Sequence, residues 1–325
     1  MRDLMQLVQI CKGRNIYIQT HNFPDPDAIA SAFGLQRLLQ KFDVDSTLCY
    51  AGRIDKLSAY KMLDVFGIKM YSYEELSTRM RQDDAIICVD SQKNGGNITD
   101  FIGDEIACID HHPTFVEVKY EYSDIYITGA CASIIADYYR ELDIVPDKDV
   151  ATALMYGLRM DTLQFSRGVT PLDIKMFGYL FPYSDPDVLA QLERNNLELK
   201  DLQAYGAAID SITIFNKVGF VSIPFSCPDG LIGALSDFVL ALEEVLVAIV
   251  LCKREDGIKF SVRSEIPGVH AGHLTRAALA GYGDGGGHQA MAGGLVRNEQ
   301  LDSLGQFVDD FFRERFLEEL DKLDK

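Results

Sequence analysis

Short apolar runs that end abruptly in an aspartate or a histidine constrain this chain more than any other feature. Asn15 to Thr20, Asp84 to Val89 and Glu105 to Ile109 are followed at once by His21, Asp90 and the triplet Asp110-His111-His112. Runs this short and this apolar read as strands buried on both faces. Ser46 to Tyr50 is a fourth such run, and helical stretches lie at Asp27 to Lys41, Ala130 to Leu142, Asp147 to Met160 and Leu172 to Leu180. Strands alternating with helices predict an α/β fold, a mainly parallel sheet with helices on both faces. In such a sheet the ligand crevice lies beyond the carboxyl ends of the strands, so three ends carrying ionisable side chains are expected to converge there.

The alternation stops at Ser184-Asp185-Pro186-Asp187, where turn and N-cap chemistry precede a stretch, Val188 to Ser211, that reads as helix. A second, smaller α/β unit follows. Its strands are expected near Ile212 to Ile223, at Val245 to Cys252, at Ile258 to Arg263 and at Met291 to Val296. Its helices are expected near Asp229 to Leu242 and Leu274 to Ala280, and a glycine cluster spans Gly281 to Gly287. The expected organisation is a first domain over 1–185, a helical linker over 186–211 and a second domain over 212–325. A chain of 325 residues exceeds what one core usually serves, and 47% apolar residues suffice for two. The last stretch, Leu301 to Leu323, reads as one amphipathic helix with Leu301, Leu304, Val308, Phe311 and Phe312 on a side that packs on the core or, alternatively, on a second subunit.

Composition removes several function classes. No apolar stretch approaches the ~20 residues of a membrane helix, and Met1 to Lys12 lack the basic start and small-residue cleavage site of a signal peptide, so a cytoplasmic protein with no membrane partner is expected. The seven cysteines, Cys11, Cys49, Cys88, Cys108, Cys131, Cys227 and Cys252, show no close pairing and sit mostly among apolar neighbours, which reads as buried thiols in a reducing compartment. With 31 basic against 49 acidic residues, a net charge of −18 opposes binding to long nucleic acid. A nucleotide substrate would have to be short.

Carboxylates and imidazoles at neighbouring strand ends are what a pair of divalent metals needs. In His21-Asn22-Phe23-Pro24-Asp25-Pro26-Asp27 the prolines stiffen a loop whose two carboxylates can address two neighbouring points. The structural alternative makes Asp27 an N-cap and Asp25 a turn residue. Asp90 could equally form a turn, and Asp161, at the expected end of a helix where it opposes the helix dipole, could be a ligand or a cap. In the second unit, Gly285-Gly286-Gly287-His288 would let a backbone approach an anion with an imidazole beside it, or would be a plain turn. Arg263, within Ser261-Val262-Arg263-Ser264, would otherwise pass as a surface charge.

In order along the chain, these pieces resemble the DHH phosphoesterase family, whose name is the Asp110-His111-His112 triplet. The second unit is similar to the DHH-associated domain through Ser261-Val262-Arg263-Ser264 and Gly285-Gly286-Gly287-His288. The resemblance implies two Mn²⁺ ions per active site, with Mg²⁺ or Co²⁺ as substitutes. His21, Asp25 and Asp90 would hold one, and Asp27, Asp90, His111 and Asp161 the other, with Asp90 bridging. Such pairs activate water and clamp an in-line displacement at phosphorus. It further implies that Asp110 orients a ligand imidazole and that His112 contacts the scissile phosphate or assists the leaving group. Arg263, Ser264, Gly286, Gly287 and His288 would bind the rest of the substrate. The branch it most resembles hydrolyses short oligoribonucleotides, linear dinucleotides or 3′-phosphoadenosine 5′-phosphate (pAp), and it raises the expectation of a homodimer. Cyclic dinucleotides or another small phosphoester are the alternative substrates, and a nucleotide sensor without turnover is the non-enzyme alternative. The segment after Asp90, Ser91-Gln92-Lys93-Asn94-Gly95-Gly96-Asn97, departs from the Arg-containing segment usual in that branch.

Overall fold

A computed structural model describes residues 4–54, 57–194, 197–301, 304 and 307–323. Its contacts divide the chain into two compact units, Met1–Asn196 and Leu197–Lys325.

The first unit is built on six strands, β1 (Ile16–Gln19), β2 (Ser46–Tyr50), β3 (Met70–Ser72), β4 (Ala85–Val89), β5 (Asp104–Asp110) and β6 (Tyr122–Ile125). They pair in the order β3-β2-β1-β4-β5-β6, every pair parallel. The winding reverses between β1 and β4, and that switch point is where an open parallel sheet forms its crevice. β1 and β4 are buried along their whole length, as a central strand covered on both faces must be. The edge strands β3 and β6 fall outside the apolar runs singled out in the sequence. β3 is only three residues long, and β6 buries just its first residue.

Helices α1 (Leu4–Cys11), α2 (Pro26–Gln40), α3 (Leu57–Phe66), α5 (Cys131–Glu141), α6 (Lys148–Asp161), α7 (Pro171–Leu180) and α8 (Pro186–Glu193) contribute to a core centred on Ile16, Ile18, Ile87, Val89, Ala107 and Ile109. The opposite sheet face, carrying Tyr17, Cys49, Ile86, Cys88 and Cys108, is covered by the short α4 (Tyr73–Leu76) together with Met80 and Phe101. Gly157 lets α6 pass close to α2. A Cβ there would meet Ala30 Cβ at 2.8 Å and Asp27 Cα at 3.1 Å. The contact sets the first turn of α2, which bears Asp27, against the helix that ends in Asp161.

The helix expected over Val188 to Ser211 is two helices. Arg194 leaves α8 in extended backbone, and a fresh start is made when the Asp201 carboxylate accepts from Glu198 N at 2.8 Å, ahead of α9 (Leu202–Ser211). A capping pair inside an apolar periodicity reads as helix interior until its side chains are seen to fold back.

The second unit carries a sheet in the order β11-β12-β10-β9-β8-β7, formed by β7 (Thr213–Phe215), β8 (Val218–Ile223), β9 (Val247–Arg254), β10 (Gly257–Ser264), β11 (Asp284–Gly287) and β12 (Met291–Arg297). Only β8 and β9 run parallel. α9 and α10 (Asp229–Leu240) cover one face, and α11 (Ala271–Leu279) and α13 (Val308–Leu323) the other. The expected terminal helix is interrupted. α12 (Asn298–Leu301) is separate from α13, whose Phe312, Phe316 and Leu320 enter the core while Val308 and Phe311 are only half-buried. All seven cysteines are buried free thiols. No helix among the described residues is long and apolar enough to cross a membrane.

Candidate metal centre

The loop leaving β1, the first turn of α2, the residues just after β4 and β5 and the last residue of α6 bring His21, Asp25, Asp27, Asp90, His111 and Asp161 into one cluster. Two trios, His21-Asp25-Asp90 and Asp27-His111-Asp161, each offer ligand atoms within 4.8 Å of one another. Asp90 stands between them. Its Oδ2 is 3.6 Å from His21 Nε2 and its Oδ1 is 3.2 Å from His111 Nε2. Asp161 Oδ2 lies 3.4 Å from His111 Nε2, and Asp25 Oδ1 3.8 Å from His21 Nε2.

Both rings are held in the orientation a metal ligand requires. His21 Nδ1 lies 2.8 Å from Asn22 O and His111 Nδ1 2.9 Å from Thr128 O. A carbonyl can only accept, so Nδ1 carries a proton, and Nε2, the ring nitrogen turned toward the carboxylates, is the one that could ligate a metal once it gives up its own proton. Asp90 Oδ1 is buried with no hydrogen-bond partner among the described residues, since the 3.2 Å approach of His111 does not have bonding geometry. A buried carboxylate oxygen left in that state is costly unless a cation meets it. Asp25, Asp27, Asp90 and Asp161 bring four carboxyl groups, whose charge when ionised two divalent cations would neutralise. The donors therefore fit a pair of hard or borderline divalent ions.

Protonation follows the same crowding. Burial alone would lower the two imidazoles, but the carboxylates outweigh it: Asp25 and Asp90 push His21 up to about 9, and Asp90, Asp161 and Asp27 hold His111 well above the usual histidine range. Burial, then Asp90 and Asp161, raises Asp27 well above the carboxylate range. Asp161 is pushed up to about 6 by burial, against the opposing pull of His111.

The capping alternatives have a mixed outcome. Asp25, not Asp27, caps α2, its Oδ1 accepting from Asp27 N at 3.0 Å and Ala28 N at 3.2 Å. Asp27 reaches across the fold to the start of α5, where Oδ2 accepts from Cys131 N at 2.7 Å and Oδ1 from Ala132 N at 2.9 Å. Each carboxylate thus combines a cap with a place in the cluster. Strain gathers beside them. Asp90 has φ 57°, and Leu163, Gln164 and Phe165, just after Asp161, have φ 48°, 55° and 65°. Consecutive left-handed non-glycine residues cost energy and cluster at functional sites. The turn sets the Arg167 guanidinium 2.9 Å from Asp161 O, a cation at the site that no sequence pattern singles out.

Asp110 and His112 form a second layer. His112 Nδ1 is 2.8 Å from Asp110 Oδ1 and 3.8 Å from Asp90 Oδ1. Asp90, His111 and His112 also lie close together, with the Nδ1 of His112 engaged by Asp110. Asp110 Oδ1 also accepts from His111 N at 2.8 Å. Burial would raise Asp110, yet the bonds from His112 and Gln92 hold it below the usual carboxylate range.

Residues 15–158 match the DHH family, N-terminal domain, and residues 216–314 match the DHHA1 domain. The chain thus carries a DHH N-terminal domain followed by a DHHA1 domain. It is 29% identical over 320 residues to an uncharacterized protein of Methanocaldococcus jannaschii, covering 94% of this chain but 64% of that protein, so it spans less than two thirds of this relative's length. It is 24% identical over 328 residues to the bifunctional oligoribonuclease and PAP phosphatase NrnA of Thermus thermophilus, covering 97% of this chain and 94% of NrnA. Among solved structures, an exopolyphosphatase-related protein from Bacteroides fragilis matches with a TM-score of 0.74 at 18% identity, over 96% of both chains. At that identity the likeness is one of fold.

In the DHHA1 domain, the residues singled out in the sequence occupy β10, β11 and the turn after β11. Arg263 faces α10: its Nε donates to Asp237 Oδ1 at 2.6 Å and its NH2 to Gly233 O at 3.4 Å. Ser264 is buried, and its hydroxyl has no partner among the described residues. Within the glycine cluster, Gly285, Gly286 and Gly287 lie in strand β11 rather than in a plain turn. Gly286 pairs with Gly293 of β12. A Cβ on Gly272 of α11 would strike the backbone of Gly287, and a Cβ on Gly287, at φ 152°, would strike the backbone of Met291 and Ala292. The glycines thus have a packing reason independent of any ligand. His288 follows, exposed, with its N donating to Met291 O at 2.7 Å.

Proposed function

We propose that this chain is a two-metal phosphoesterase that releases mononucleotides from short oligoribonucleotides, linear dinucleotides or pAp. The observation that carries the reading is the pair of imidazoles locked with Nε2 facing four carboxylates at the switch point of the sheet. His21, Asp25 and Asp90 would hold one Mn²⁺, and Asp27, Asp90, His111 and Asp161 the second, with Mg²⁺ or Co²⁺ able to substitute. Bound there, the metals would acidify a water and neutralise charge on the phosphoryl oxygens.

The chain's own groups have separate tasks. Asp110 holds His112 through Nδ1, so a protonated His112 can release the proton on Nε2 to the departing ester oxygen. Burial opposes that protonation, but Asp110 and Asp90 raise His112 above its ordinary value. Arg167 beside Asp161 is a second group for phosphate charge. Arg263 and His288 remain proposed contacts for the far end of the substrate, and Arg263 would have to exchange Asp237 for that group. A net charge of −18 favours short substrates over long nucleic acid.

The test is a panel of pApA, a short oligoribonucleotide, pAp, cyclic dinucleotides and pyrophosphate, assayed with Mn²⁺ and with Mg²⁺. Turnover of the linear nucleotides ahead of the cyclic ones and of pyrophosphate is expected. A preference for the cyclic form, or no turnover of any linear nucleotide, would refute the assignment.

A further inference from the structure

We infer that Gln92 is a positioning residue for this chemistry, and that the segment it opens, from Ser91 to Thr99, ties the two histidine-bearing loops of the centre together. The inference rests on the phosphoesterase reading above. Gln92 is buried, and its single Nε2 spans two groups, donating to Asp110 Oδ2 at 2.7 Å and to His112 O at 3.0 Å. An amide nitrogen has two protons, and both are directed at the Asp110–His112 pair. With Oδ1 taken by His111 N and His112 Nδ1, and Oδ2 by Gln92, the Asp110 carboxylate cannot swing without breaking a bond. A carboxylate that can rotate points its imidazole loosely, and one clamped on both oxygens points it in one direction.

The segment is itself anchored. Lys93 N donates to the Tyr120 hydroxyl at 2.9 Å, and Lys93 Nζ lies 2.5 Å from the buried Glu105 and 3.2 Å from Asp100. Further on, Asn97 O accepts from Asn22 N at 2.7 Å, and Thr99 N donates to Asn22 Oδ1 at 3.1 Å. Asn22 O is the acceptor that fixes His21 Nδ1. One stretch of chain thus holds Asp110 and His112 at one end and the carbonyl orienting His21 at the other. This gives the segment after Asp90, where the chain departs from the branch it resembles, a physical task.

Gln92→Met keeps the length of the side chain and removes both donors. The expected result is a kcat lower by roughly 10- to 100-fold, the range typical when a group that orients an active-site side chain is lost. KM and the Mn²⁺ affinity measured by calorimetry should stay within about 2-fold, because Gln92 touches neither a proposed ligand atom nor the substrate. In a His112→Ala background, Gln92→Met should cause no further loss, since it acts through a ring no longer present. Should Gln92→Met not fold, Gln92→Asn, which keeps the amide but shortens its reach, is read in the same way.

Unchanged kcat in a folded Gln92 variant, or an additive loss on top of His112→Ala, would overturn the inference. So would a fall in kcat accompanied by an equal fall in Mn²⁺ affinity. Wild-type protein is assayed alongside. Absence of wild-type turnover on the whole panel counts against the phosphoesterase reading, whereas wild-type turnover with an undiminished Gln92→Met variant counts against this inference alone.

Discussion

Asp90 is the residue on which the centre depends, set between two imidazoles in left-handed backbone with one oxygen unbonded. Asp90→Asn is nearly isosteric, so the fold should survive. Mn²⁺ binding, followed by calorimetry, should fall at both positions, and activity should drop by more than the roughly 10- to 100-fold that outer partners cost. Binding of one metal with full affinity in that variant would refute the bridging role. Protons supply a second prediction at this scale. His21, at about 9 in the metal-free protein, is protonated at pH 7.5 and must lose that proton to act as a ligand. Mn²⁺ binding should therefore release protons, seen as heats that vary with buffer ionisation enthalpy, and apparent affinity should rise with pH up to about 9. His21, Asp90 and the triplet were legible in the sequence because each terminates an apolar run. Gln92, Thr128 and Arg167 were not, since each acts through one or two contacts that leave no periodicity. Gln92 meets a carboxylate 18 residues away, and Thr128 an imidazole 17 away.

Among the elements, the junction between α5 and α7 is the least expected part of the support. Asp173 Oδ2 accepts from Thr170 N at 2.7 Å, Gly129 N at 2.9 Å and Thr128 Oγ1 at 3.0 Å, while Oδ1 accepts from Ser133 Oγ at 2.6 Å. This fixes the Thr128 carbonyl that orients His111. Burial raises the Asp173 carboxyl, but the donors outweigh burial and hold it below the ordinary range. Its contribution to stability is thus complete above the ordinary carboxylate value and is lost as pH falls below it. Asp173→Asn should cost about 1.5–3 kcal/mol in urea denaturation at pH 7 and much less in strong acid. The left-handed turn after Asp161 gives the opposite sign. Leu163→Gly should raise stability by roughly 0.5–1 kcal/mol, because glycine adopts that backbone without the Cβ clash. The long apolar strands and the helices after them were readable from period and length. Edge strands of three or four residues, the capping pair that splits the expected linker helix, and the glycine strand β11 were not, since tertiary pairing decides them.

Over the whole molecule, strand order places the cluster and charge narrows what can reach it. Neither was decided by a single motif: the reversal between β1 and β4 came from pairing, while −18 could be counted directly. Four buried or half-buried carboxylates in one crevice oppose folding until a cation neutralises them, so metal and stability are linked. At free Mn²⁺ 100-fold above its dissociation constant, the first unit should gain about 2.7 kcal/mol for each ion bound. In calorimetry its transition should move up with Mn²⁺ and return with chelator, and a transition indifferent to both would contradict the linkage. The central claim is that this centre hydrolyses a phosphoester of a short linear nucleotide. AMP release from pApA by the Mn²⁺-loaded protein, with Asp90→Asn in parallel, tests it most directly. The account predicts steady turnover by the wild type, abolished in the variant and by chelation. Equal rates in wild type and variant, or no release of AMP by wild-type protein that demonstrably binds two Mn²⁺, would contradict it.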